Sequence, residues 1–121
     1  MHNVENLKIW RKSIELTKLV YSIVAELPAD EKYGLSSQIK RSCISIPSNI
    51  AEGAGRNTKK EFKHFLSVAN GSSYELQTQL ILTTELNLIG IDKIQSLLDL
   101  TSEVQKMNYS LQNSLDQKSN I

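Results

Sequence analysis

Apolar residues recur along this chain at spacings of three and four rather than in alternation, and that spacing predicts helices throughout. Four patterns follow one another. The first runs to Pro28, the second from about Tyr33 to Ala54, the third from Thr58 to Leu88, and the fourth begins near Asp92. The breakers sit where the patterns change: Pro28, then Gly53 and Gly55, then Gly90. No β-branched run shows strand periodicity, and Asn70-Gly71 lies inside a helical pattern rather than between strands. Short connections favour antiparallel neighbours. The expected architecture is all-α, an up-down four-helix bundle forming a single domain over residues 1–121.

The third and fourth patterns carry start signals. Thr58-Lys59-Lys60-Glu61 reads as a capping box, with Thr58 accepting a backbone N–H and Glu61 reaching back, and Asp92-Lys93-Ile94-Gln95 is a second candidate. The third core stripe is Phe62, Phe65, Leu66, Ala69, Ser73, Leu76, Leu80 and Thr84, and Ala69, Gly71, Ser72 and Ser73 would let a neighbour approach closely. The fourth has one narrow seam through Ile94, Leu97, Leu98, Thr101, Val104, Leu111 and Leu115. The first helix has two seams. Ile9, Leu16, Val20, Ile23 and Leu27 form one, and Leu7, Trp10, Ile14, Tyr21 and Val24 the other, together spanning about 200° of a helical wheel. In the second, Leu35, Ile39, Cys43, Ile44, Ile46, Ile50 and Ala51 cover about half the circumference. A bundle helix needs an apolar stripe of little more than about 100°. The surplus predicts a second interface and hence a homo-oligomer.

Pro47 falls in the middle of the second pattern. A proline inside a helix removes one backbone hydrogen bond and crowds the preceding turn, costing about 3 kcal/mol. Either a helix ends at Ile46 and restarts, or one helix runs through and the freed Cys43 carbonyl takes a hydroxyl or water. The apolar and polar arcs stay in phase from Leu35 to Ala54, which favours the continuous helix. Around the proline, Ser45, Ser48, Asn49, Glu52 and Gly53 are expected to form a structural motif at an assembly interface, with the four polar side chains satisfying what Pro47 leaves open. With Gln38, Arg41 and Arg56 they make a polar arc, readable as a ligand grip or as a network fixing register.

Charge and composition narrow the chemistry. The net charge of +1 conceals an asymmetry: residues 1–65 hold 11 Lys/Arg against 7 Asp/Glu, and residues 66–121 hold 3 against 6. Arg56, Lys59, Lys60 and Lys63 cluster at a predicted helix start, where the dipole also favours anions. Arg11 and Lys12, with Lys8, form a second basic group. Such groups can grip phosphates without reading sequence. Glu61-Phe62-Lys63-His64 matches one Glu-x-x-His element of di-iron bundles, but that chemistry needs two such elements and two more glutamates. No metal and no cofactor is therefore expected. Cys43 lies in an apolar arc without a histidine close in sequence, no phosphate-cradling glycine loop is present, and an enzyme is not expected. With one cysteine, no signal-peptide pattern and no membrane-length apolar run, the expectation is a cytoplasmic protein.

A resemblance joins these segments. Leu7-Lys8-Ile9-Trp10-Arg11-Lys12, Tyr33-Gly34-Leu35-Ser36-Ser37-Gln38-Ile39-Lys40-Arg41, Ser45-Ile46-Pro47-Ser48-Asn49-Ile50-Ala51-Glu52-Gly53 and Gly55-Arg56 stand in order, followed by Glu61-Phe62, His64-Phe65-Leu66, Ala69, Gly71-Ser72 and Glu75-Leu76-Gln77-Thr78-Gln79-Leu80. From Leu7 to Gly90 the chain resembles the bacterial four-helix-bundle family encoded in intervening sequences of 23S rRNA genes. The resemblance implies a ring-shaped homopentamer, kin to the accessory protein of diversity-generating retroelements, which binds nucleic acid and a reverse transcriptase. Arg11, Lys12, Arg41 and Arg56 are the basic members of the shared motifs. The chain departs from the pattern at Asn70, where relatives often carry a basic residue, at Gln77 in place of glutamate, and at Ala54 in place of an aromatic. The expected function is a non-enzymatic oligomeric bundle that binds RNA, or an RNA-associated protein, through Arg11, Lys12, Arg41, Arg56, Lys59, Lys60 and Lys63. The contrasting expectation is a structural or adaptor homo-oligomer whose partner is a protein, with no nucleic-acid role. Neither a membrane nor a small-molecule substrate is expected as a partner.

Overall fold

The computed structural model describes the backbone of residues 2–119 and the side chains of residues 2–116. Helix α1 spans Lys8–Val24, α2 Leu35–Ala54, α3 Lys59–Glu85 and α4 Ile91–Ser119, with short 3₁₀ turns at Val4–Asn6 and Ala29–Glu31. No strand occurs among the described residues. Each helix packs on its chain neighbours and α4 closes back on α1, giving a square up-down bundle in which α2 and α3 make the most extensive contact. None of the helices is long and apolar enough to cross a membrane among the described residues.

The core follows the apolar stripes. Leu16, Val20, Ile39, Ile46, Ile50, Phe62, Leu66, Leu76, Leu80, Ile94, Leu97 and Val104 are fully buried. Burying side chains of this size contributes about 1.5–3 kcal/mol each. α2 takes part in the most extensive contact of the bundle, with α3, and packs on α1 as well, which uses a broad apolar arc. Most of the arc that predicted a second interface is used inside the protomer. On α2 only Ile44 remains exposed, and on α1 Tyr21 and Leu19 are exposed while Trp10 and Ile14 are half-buried.

The helix ends depart from expectation in four places. Thr58 caps α3, its Oγ1 accepting the Glu61 N–H at 3.1 Å, but the Glu61 carboxylate meets the Thr58 hydroxyl at 3.0 Å rather than the cap backbone. Asp92 is not a cap, because α4 has already begun at Ile91. α3 stops at Glu85, three residues short of Leu88, and Asn87 turns the chain with φ 57°, a left-handed conformation that asparagine tolerates. Finally, Gly53 does not separate helices. It lies within α2, buried, where an added Cβ would stand 2.8 Å from Phe65 Cβ and 3.1 Å from the Phe62 carbonyl. Gly53 is thus a point of close approach between α2 and α3; of the small residues expected to admit a neighbour, Ala69 and Ser73 are buried and Ser72 meets Ser45 of α2 at 2.8 Å. Gly71 is instead exposed, and a Cβ added there would meet nothing within 4 Å.

Candidate nucleic-acid interface and polar seam

α2 runs unbroken through Pro47, which is buried. The carbonyl it leaves without a helical donor belongs to Cys43, and the hydroxyl facing it comes from α1. Thr17 Oγ1 lies 3.2 Å from the Cys43 carbonyl and 2.8 Å from the Ser13 carbonyl of its own helix, so one proton serves both acceptors. This corrects the expectation that Ser45, Ser48, Asn49 and Glu52 compensate the proline. Ser45, Asn49 and Glu52 take other partners, and Ser48 is exposed.

Ser45 and Asn49 tie α2 to α3. Asn49 Nδ2 donates to the Ser45 carbonyl at 2.8 Å and to Ser45 Oγ at 2.9 Å, Ser45 Oγ meets Ser72 Oγ at 2.8 Å, and Ser72 Oγ donates to the Val68 carbonyl at 3.2 Å. One turn earlier, buried Ser42 donates to Gln79 Oε1 at 2.6 Å. The donors of Ser42, Ser45, Asn49 and Ser72 all have acceptors, which is what a polar seam between packed helices requires. Ser48 and Glu52 are exposed, and Glu52 pairs with Arg56 at 3.4 Å.

The basic candidates divide sharply. Arg56 sits between Glu52 and Glu61, the latter at 3.6 Å, with its guanidinium 4.8 Å from the Phe65 ring centroid. Lys12 reaches Glu103 on α4 at 3.5 Å, and Lys63 meets both carboxylate oxygens of Asp116 at 2.7 and 2.8 Å. Arg41 donates to Gln38 at 2.8 Å and lies on α2 about 22 Å along the axis from Arg56, toward the opposite end of the bundle. Arg11, Lys59 and Lys60 are exposed, and none of them takes part in the ion pairs among the described residues. In the up-down topology the start of α1, the end of α2 and the start of α3 share one end of the bundle. A backbone hydrogen bond from His2 to the Ala54 carbonyl at 2.9 Å pins that end together. Arg56, Lys59, Lys60 and Lys63 therefore collect there. Arg11 and Lys12 lie on the diagonal helix α1 beside Glu103 and Met107 of α4, about 20 Å along α4 from the Lys63–Asp116 pair, and Arg41 lies toward the opposite end.

Chemistry requiring an activated nucleophile finds little support. Cys43 is fully buried, and burial pushes its thiol from 9.0 up to about 11, outweighing the hydrogen bonds and the Lys40 charge that act the other way. Among the described residues no group of three or more His, Cys, Asp or Glu could hold a metal. His64 is exposed, its ring edge-on to Phe65 at 5.1 Å.

The chain matches the 23S rRNA-intervening sequence protein family over residues 5–110, most of its length. It belongs to that family. The match takes in the proline-centred segment and continues twenty residues past Gly90, where the motif resemblance ended, so most of α4 belongs to the family pattern as well. The fold is similar to that of a solved S23 ribosomal protein family member of unknown function from Bacteroides thetaiotaomicron. That similarity has a TM-score of 0.80 and 25% identity, covering 86% of this chain and 97% of that one. No curated protein matches.

Two clefts went unforeseen. One, of about 500 Å³, lies between the start of α1 and α4 and is lined by Leu7, Lys8, Lys106, Met107 and Leu111. The other, of about 370 Å³, lies between α3 and α4 and is lined largely by amides, with exposed Tyr74 and Tyr109. The signal for the second was present in the sequence as Asn70, Tyr74, Gln105, Tyr109 and Gln112 at helical spacing. It was missed because each half lies on a different helix and neither half is conspicuous alone.

Proposed function

We propose that this family member is a non-catalytic, RNA-binding homo-oligomer, a ring-shaped pentamer, that grips phosphates with the basic end of its bundle. The observation that carries the reading is the state of Lys59 and Lys60: exposed, free of acidic partners among the described residues, and side by side at the start of α3, with Arg11 equally exposed and unpaired on α1. Lys59 and Lys60 occupy the first turn of α3, where the helix dipole adds to their charge. A ring would repeat this modest cluster around an axis and turn it into a band. Exposed Tyr21 and Ile44 beside half-buried Trp10 and Ile14 leave apolar surface on α1 and α2 for subunit contact. The raised Cys43 thiol supports the absence of a thiolate nucleophile.

The second reading is an adaptor oligomer with a protein partner. It is favoured by the ion pairs of Lys12, Arg56 and Lys63, which neutralise three of the seven candidate cations. Two measurements decide between them. Light scattering is expected to give a mass near five protomers, and a monomer contradicts assembly. Titration with structured ribosomal RNA at low salt is expected to show binding that Lys60→Ala weakens. RNA binding absent even at low salt rejects the RNA reading and leaves the adaptor.

A further inference from the structure

The α3–α4 face carries groups that phosphate gripping does not use. Tyr74 on α3 is 54% exposed and Tyr109 on α4 is 71% exposed, and both line the cleft of about 370 Å³ described above and a second, of about 530 Å³, that shares Gln105 with it and adds Ser102, Lys106 and Ser110. Exposed phenol rings on neighbouring helices that line one groove are positioned to stack with flat ligands. Between them the groove is floored with carboxamides. Gln105 Nε2 donates to Gln77 Oε1 at 3.0 Å, Gln112 Nε2 donates to Asn108 Oδ1 at 2.6 Å, and buried Asn108 donates to the Leu66 carbonyl at 2.8 Å. That last bond anchors the floor to α3, so the amides are held rather than floppy. Gln105 keeps its own carbonyl oxygen and one N–H beyond the bond it makes to Gln77. A carboxamide offers a donor and an acceptor side by side, as a nucleobase edge does. Lys106 borders one cleft, is exposed and takes part in none of the ion pairs among the described residues, so one cation stands where a threaded backbone would place a phosphate; Lys63, at the other cleft, is held by Asp116.

We propose that the Tyr74–Tyr109 groove between α3 and α4 binds unpaired nucleobases of single-stranded RNA, by stacking on the two rings and hydrogen bonding to Gln105 and its neighbouring amides. Bases must be splayed out of a helix to be read this way, so the groove selects single strands, loops and bulges over duplex. The basic end of the bundle, by contrast, takes any phosphate backbone. This inference rests on the RNA-binding reading above but concerns a different surface.

The test is fluorescence anisotropy with labelled oligouridylate and a labelled RNA duplex, using wild type, Tyr74→Ala, Tyr109→Ala, Tyr109→Phe, and the double variant Lys59→Ala/Lys60→Ala. Each Tyr→Ala change is expected to weaken oligouridylate binding about fivefold or more while leaving duplex binding unchanged, and Tyr109→Phe is expected to stay close to wild type. The lysine variant is expected to weaken both ligands. If the alanine variants bind oligouridylate as wild type does while the lysine variant loses affinity, the groove assignment is overturned and the RNA reading stands. Should wild type bind neither ligand at low salt, both fall. A change in oligomer mass on Tyr→Ala, with RNA affinity unaltered, would make this face a protein interface and overturn the assignment.

Discussion

Pro47 shows how a single residue is accommodated by a partner distant in sequence. The freed Cys43 carbonyl lies against Thr17, whose hydroxyl is 26 positions away along the chain. An unpaired buried carbonyl costs about 1–3 kcal/mol, so Thr17→Val is expected to destabilise the bundle by about that amount in urea unfolding. In a Pro47→Ala background the alanine N–H can serve the carbonyl, and the Thr17→Val penalty should shrink. Equal penalties in both backgrounds would show that the hydroxyl does not compensate the proline. Continuity of the helix was legible from the unbroken phase of its arcs. The donor was not, because nothing in local sequence says which turn of α1 faces Cys43. Cys43 itself makes a pH prediction. Its folded thiol titrates near 11 against an ordinary 9.0, so its contribution is fully present below pH 9 and is lost as pH rises from 9 toward 11. The loss is on the order of 2 kcal/mol. Relative to Cys43→Ala, wild type should lose stability over that window, and parallel pH profiles would contradict the assignment.

At the scale of elements, the amphipathic stripes located all four helices, and the Thr58 cap fixed the start of α3. The breadth of the apolar arc on α2 was equally legible, but its cause was not. Width alone cannot distinguish a helix wedged between two neighbours from one reaching another subunit, and α2 is mainly the former. On α1 the surplus persists, since Trp10 and Ile14 are only half-covered and Tyr21 is exposed. The glycines carry the same lesson. Both Gly53 and Gly71 sit inside helices, and only the packing tells them apart. Gly53→Ala is expected to force the α2–α3 contact apart and destabilise by about 1–3 kcal/mol, despite the better helix propensity of alanine. Gly71→Ala meets open space in the protomer and is expected to stabilise by about 0.5–1 kcal/mol. Thermal melts of the two variants check this, and shifts in the same direction would contradict the packing described for α2 and α3.

For the whole molecule, the decisive pattern is how the charge asymmetry folds up. The basic first half and acidic second half do not become a basic face and an acidic face. Instead α4 lies against α1 and α3, and its Glu103 and Asp116 meet Lys12 and Lys63. Exposed pairs of this kind contribute little to stability, about 0–1 kcal/mol, but they leave fewer unpaired cations on the surface. The remaining unpaired cations, Arg11 on α1 and Lys59 and Lys60 on α3, could be named from sequence but not separated from their neutralised companions, since ion pairing between helices depends on register.

The direct test of RNA binding by this basic end is the salt dependence of affinity for structured ribosomal RNA. Binding should weaken linearly on a log–log plot, and Lys59→Ala/Lys60→Ala should flatten the slope by roughly one for each lost phosphate contact, about two in all. A slope unchanged by the double variant, or affinity indifferent to salt, would contradict the assignment of phosphate gripping to the start of α3.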